Sequence, residues 1–162
     1  MRSRHPHIFL KDSSIKSIED VNNFWELQKK NERKKKGANS ILDGVSISLP
    51  AVTRSIKLQK RAAKEGFDWK KPEDTLKKVK EELNELTFEM KAKNKKKIRE
   101  ELGDLLFSCI NLSRKLGIDT ETVIRESNRK FEKRFKKMEK KMNKKSLKWE
   151  LKNLEKEWQN SK

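Results

Sequence analysis

Residues 81–107, EELNELTFEMKAKNKKKIREELGDLLF, place two acid pairs on either side of a lysine run: Glu82 with Glu85, and Glu101 with Asp104. Residues three or four apart share a face of an α-helix, so each pair projects from one side of its own helix. Glu89 extends the first stripe. Before the lysine run, Leu76, Val79, Leu83, Leu86 and Met90 step by 3, 4, 3 and 4, the seam of a helix over residues 72–91. After it, Leu102, Leu105, Leu106, Cys109, Ile110 and Leu116 point inward from a helix over 96–116. The intervening KAKNKKK makes a turn. Consecutive helices joined so briefly pack antiparallel at about 8–10 Å between axes. The acid pairs flank both seams, so the expectation is four carboxylates sharing one small volume.

An ExxE pair alone is usually a solvated face. Four unpaired carboxylates in one place repel, and require cationic side chains or a divalent metal. Oxygen-only ligands select hard ions, so Mg2+ is the expected cation, with Mn2+ as a substitute. In a later helix, SNRKFEKRF puts Lys130 and Arg134 one turn apart beside Phe131 and Phe135, where they can neutralise phosphate oxygens.

Working outward, Pro72 suits a first helical position, with Glu73 and Asp74 in the first turn. Upstream, GANSILDGVSISLP reads as a loop in which Ser48 and Pro50 start a helix over 49–65 that stops at Gly66. Downstream, Gly117 ends one helix and Asp119 caps the next, over 120–142, with a seam of Phe131, Phe135, Met138 and Met142. Residues 1–20 form an irregular arm whose His5 and His7 read as surface or packing residues, since no other ligands lie near. A helix follows over 17–36. The domain reading is an arm and helix over 1–40, a helical domain over 41–142 and a helical tail over 143–162, which docks or frays.

Composition agrees with an all-α fold. The 162 residues are 42% charged and 32% hydrophobic, with five Gly, three Pro, no Tyr and a mean hydropathy of −1.08, which favours amphipathic helices over sheet. The core is thin for one chain. A net charge of +18 points to nucleic acid, an anionic surface or a polyphosphate ligand, or simply to lysine on solvated faces. The charge and the lysine runs make a basic helical nucleic-acid-binding protein the alternative reading; against it, basic residues interleave with Glu and no nucleic-acid motif stands out. Cys109 is the only cysteine and is expected to be a small buried hydrophobe, which fits a reducing compartment. No apolar stretch approaches the ~20 residues of a membrane span, and MRSRHPHIFLKDSS lacks a secretory apolar region. A soluble, cytoplasmic protein is expected.

At this point the sequence resembles the MazG family of nucleoside triphosphate pyrophosphohydrolases. Its EExxE and ExxD elements stand here as EELNE and EELGD. LPAVTRSIKLQKRAAKEGFDW, EELGDLLFSCINLSRKLGID and SNRKFEKRF resemble blocks of that family's C-terminal repeat, and LEKEWQ resembles its end. The resemblance implies an antiparallel helical bundle completed by dimerisation, hydrolysing nucleoside triphosphates to monophosphate and pyrophosphate with magnesium, in nucleotide-pool clearance. It implies Glu82, Glu85, Glu101 and Asp104 as catalytic metal ligands, Lys97, Lys130 and Arg134 on the triphosphate, and Trp158 near the nucleoside. RSRHPHIF resembles the tail of the family's first repeat and the start of the connector; the expectation is a chain beginning there, as a shortened gene product or a partial chain, with a catalytically silent bundle as a further alternative.

Overall fold

The computed structural model describes residues 39–161, which contain five α-helices and, among the described residues, no strand. These are α1 (Ala51–Lys64), α2 (Pro72–Ala92), α3 (Lys95–Lys115), α4 (Thr120–Lys144) and α5 (Leu151–Gln159). The expected all-α class holds. The arm with His5 and His7 and the helix expected over 17–36 lie outside the described residues.

Local chemistry sets the boundaries. Pro72 occupies the start of α2, where its missing N–H costs no helical bond. α2 ends at Lys93 in the left-handed region, φ 55°. There the Asn94 N–H reaches the Glu89 carbonyl and the Lys93 N–H reaches that of Met90, a Schellman closure. Asn94 at once caps α3, its side-chain oxygen accepting from the Lys97 N–H at 3.3 Å. Two residues thus reverse the chain. Asp119 caps α4 as expected, accepting from the Thr122 N–H at 2.8 Å. Ser48 does not cap α1: its hydroxyl pairs with that of Ser46 at 2.7 Å, and Pro50 holds the cap position.

The dominant packing is α2 on α3, with α1 against α3 and α5 against α4; α4 touches α3 only slightly. Gln59 Nε2 donates to the Phe107 carbonyl at 3.0 Å, and Asp68, beyond the end of α1, meets Arg114. α1 and α3 therefore run in the same direction. The internal faces are unusually polar: Gln59, Thr75, Glu82, Ser108 and Asn111 are buried between α1, α2 and α3 or within their contacts, whereas the buried apolar residues are Val45, Leu86, Met138 and Met142.

The apolar seams expected to point inward do so only in part. Leu86 is buried, but Leu76, Leu83 and Met90 on α2 and Leu102, Leu106 and Leu116 on α3 are exposed, Leu106 by 57%. Cys109 is exposed as well, not buried. The reason is geometric. A single antiparallel partner covers one stripe of α2, the Thr75, Glu82 and Leu86 side, and leaves the adjacent stripe at 76, 83 and 90 uncovered. On α3 the uncovered stripe runs through 102, 106, 109 and 116.

The link after α1 is pinned by charge. Arg114 grips both Asp68 oxygens at 2.6 and 3.2 Å, and Lys115 Nζ lies 3.2 Å from Oδ2. Burial alone raises the Asp68 pKa, but hydrogen bonds from Arg114 and Lys115 outweigh it and hold the carboxyl below its ordinary value of 3.8. A carboxyl whose folded pKa is depressed adds stability above its unfolded value, and that stability is lost as pH falls through the folded value. Urea unfolding of wild type should therefore show a stability decline below pH 3.8 that is shallower in Asp68→Asn; equal slopes would remove Asp68 as a contributor.

Candidate metal centre and flanking cationic site

The two-residue reversal between α2 and α3 brings their acid stripes together. Glu82, Glu85 and Glu101 each offer a carboxylate oxygen, and these oxygens lie within 4.8 Å of one another. Glu82 is 5% exposed, Glu85 lies at the surface and Glu101 is intermediate. Asp104, one turn beyond Glu101 on α3, is exposed and falls outside this group of three.

Electrostatics register the crowding. Desolvation, followed by the charge of Glu82, a hydrogen bond shared with Glu82 and the charge of Glu101, raises the Glu85 pKa; Lys78 only partly opposes this. Lys78 is the main internal counter-charge, its Nζ 2.8 Å from Glu82 and 2.7 Å from Glu81. Its hydrogen bonds to Glu81 and Glu82 push its own pKa up, so it stays charged. Lys97, in the first turn of α3, pairs with Glu100 at 3.3 Å and also feels Glu101 and Glu89. Lys78 is a neighbour of the cluster that the acid pattern alone does not flag; the signal for it is its position four residues before Glu82 and three before Glu81.

Converging carboxylates with incomplete internal compensation form a cluster able to hold a metal ion. The set is all oxygen, which suits a hard divalent cation. Glu82, Glu85 and Glu101 would supply its ligands.

Arg134 and Trp158 form a second grouping, on α4 and α5. The Arg134 guanidinium carbon lies 3.9 Å from the Trp158 ring centroid. Arg134 Nε and Nη2 both donate to the Trp158 main-chain carbonyl, at 3.1 and 2.7 Å. Phe131 packs on the Trp158 ring at 5.4 Å and on Phe135 at 5.9 Å. Lys130, one turn before Arg134, is exposed. The tail therefore docks: besides Trp158, it brings Glu157 to Lys145 at 2.6 Å. Helical spacing groups Arg134 with Lys130 and carries no sign of the ring stack and carbonyl bonds that join Arg134 to Trp158, 24 residues away.

Residues 70–139 match the MazG nucleotide pyrophosphohydrolase domain, a segment that includes α2, α3 and most of α4. The chain is 39% identical over 135 residues to the nucleoside triphosphate pyrophosphohydrolase of Escherichia coli, covering 82% of this chain and 51% of that protein. It is 40% identical over 128 residues to the nucleoside triphosphate pyrophosphohydrolase/pyrophosphatase MazG of Thermotoga maritima, covering 79% of this chain and 47% of the other. The chain thus spans about half the length of these relatives.

A cation held by this cluster binds the folded state and should stabilise it, by about 2.7 kcal/mol at a free concentration 100 times its Kd. Thermal unfolding with and without Mn2+ or Mg2+ should show that upward shift in wild type and its loss in Glu82→Gln. A shift of equal size in Glu82→Gln would place the cation elsewhere.

Proposed function

Residues 70–139 of this chain belong to the MazG nucleotide pyrophosphohydrolase family, and from that premise we propose that the protein hydrolyses nucleoside triphosphates to monophosphate and pyrophosphate. The observation that carries this reading is the convergence of Glu82, Glu85 and Glu101 inside the matched segment. Mg2+ is the proposed cation, with Mn2+ as a substitute, because polyphosphate ligands complete the shell of an ion that keeps waters and prefers oxygen. When bound, it supplies charge neutralisation for the phosphates and acidifies a nearby water.

The chain's own residues carry the remaining tasks. Glu82, Glu85 and Glu101 would hold the cation, and Asp104, one turn beyond Glu101 on the same face of α3, would complete the ligand set. Water attacks the α-phosphorus in line; the bond from that phosphorus to the bridging oxygen breaks, and its electron pair leaves with pyrophosphate. Glu81 or Glu89 takes the proton from water. Lys97, Lys130 and Arg134 face the triphosphate and offset charge on the departing group, while Trp158 flanks the nucleoside. Clearance of nucleotides from the pool is the proposed role.

The working unit is a homodimer. The uncovered stripes of α2 and α3 expose leucines that each stabilise by roughly 1.5–3 kcal/mol when fully buried. A second copy laying the same stripes against them closes the core.

Two measurements test these readings. Pyrophosphate release from a panel of nucleoside triphosphates should require added Mg2+ and vanish with EDTA, and Glu101→Gln should lose roughly 100-fold or more in kcat with helicity unchanged; wild-type turnover in that variant would refute the ligand assignment. In sedimentation, wild type should run at twice 19.3 kDa and Leu76→Lys with Leu116→Lys should shift it toward monomer, whereas a monomeric wild type would rule the dimer out.

A further inference from the structure

Among the described residues, the side-chain hydrogen bonds of Arg134 go to the nine-residue α5. The Trp158 carbonyl lies in the last turn of that helix, where carbonyls lack helical partners, and it receives the Ser161 N–H at 3.2 Å together with two Arg134 N–H groups. Those two donors are the Nε and Nη2 side of the guanidinium. Among the described residues Nη1 has no hydrogen-bond partner, so the Nη1 and Nη2 edge can take a bidentate grip on an anion. Where that edge points is therefore set by where the end of α5 sits.

A helix this short is not stable by itself. It packs on α4 through the Trp158 ring, 5.4 Å from Phe131, while Leu151 at its start is 70% exposed. Charge anchors its end as well. Glu157, adjacent to Trp158, is 2% exposed and accepts from Lys145 Nζ at 2.6 Å. Lys145 immediately follows α4, and Lys141, one turn earlier, donates to the Asn160 carbonyl. Burying a carboxylate is costly and is tolerated only when it is paired. The Lys145 hydrogen bond holds the Glu157 carboxyl below its ordinary value, so it is charged at neutral pH.

We propose that Lys145 and Glu157 are a positioning pair for nucleotide binding: their ion pair fixes the end of α5, and the Trp158 carbonyl and ring in turn aim the Arg134 guanidinium at the substrate phosphates. This rests on the reading of the protein as a nucleoside triphosphate pyrophosphohydrolase. Neither residue touches the carboxylate cluster, which is built on α2 and α3. The pair therefore governs substrate affinity and leaves cation affinity untouched.

The test compares wild type, Glu157→Gln, Lys145→Arg, Arg134→Ala and the Glu157→Gln/Arg134→Ala double variant. Glu157→Gln should raise KM for the best triphosphate about tenfold with kcat within about twofold, a difference of about 1.4 kcal/mol in affinity. The Mn2+ concentration for half-maximal thermal shift should not change. Lys145→Arg, which keeps the ion pair, should stay near wild type. The double variant should be no worse than Arg134→Ala alone, because the pair acts through Arg134. Additive losses, or an unchanged KM in Glu157→Gln, would overturn the proposal.

A second readout needs no turnover. In wild type the Arg134 Nε–H, bonded to a carbonyl beneath an indole ring, should give a slowly exchanging, ring-shifted NMR signal that Glu157→Gln loses. A signal retained in Glu157→Gln would overturn the positioning role even if wild type hydrolysed no triphosphate. An inactive wild type with the signal lost in the variant would instead refute the proposed activity and leave the coupling from Glu157 to Arg134 intact.

Discussion

Like-charge repulsion between carboxylates on α2 and α3 is the constraint around which the described structure is arranged. Antiparallel pairing of the two helices is inseparable from the crowding of Glu82, Glu85 and Glu101, because the same face supplies both. Glu82 is buried in that contact and cannot swing away to solvent. Lys78 offsets part of the charge from within α2. Desolvation, and after it the charges of Glu82 and Glu101, raise the pKa of Glu85. An apolar pairing would be more stable and chemically inert; this one trades stability for an unsatisfied demand for positive charge.

Around this contact the described helices bury polar side chains beside apolar ones and leave several leucines at the surface. Gln59, Ser108 and Asn111 fill the α1 and α3 contact, and leucines line the surface. Such a distribution suits a helical unit that packs its outer stripes on further apolar surface, as the proposed second copy supplies. The +18 charge is also uneven in effect. On α2, Lys77 is engaged by Asp74 and Lys78 by Glu81 and Glu82, whereas α4 carries Lys130, Lys133 and Lys137 on exposed positions.

Features governed by neighbours along the chain are legible in the sequence. Pro72 at a helix start, Asp119 as a cap and the lysine-rich reversal near residue 94 follow from backbone chemistry within a few residues. The meeting of Glu82 and Glu85 with Glu101 is legible for the same reason, because one short turn leaves two amphipathic helices a single way to pack. Features decided by distant partners are not. The period of leucines on α2 marks an apolar stripe but not what covers it, so periodicity points Leu76 and Leu83 inward although they face out. Cys109 departs from expectation on the same ground. Asp104 shares the helical face of Glu101, yet it falls outside the group of three. The Lys145 and Glu157 pair joins residues twelve apart across a reversal, a separation that no helical period flags.

The two-residue closure formed by Lys93 and Asn94 also bears on how the chain reaches its fold. Contacts between α2 and α3 begin at residues adjacent in sequence and extend outward like a zipper, with little loop-closure entropy at each step. Such local topology belongs to rapid folding, on microsecond to millisecond times. The zipper must pass through Glu89, Glu85 and Glu82 against Lys97 and Glu101, so the charge that equips the site lies directly on the route of assembly. Counterions in the surrounding solution thereby act twice, once on the finished molecule and once on the speed at which a newly made chain becomes one.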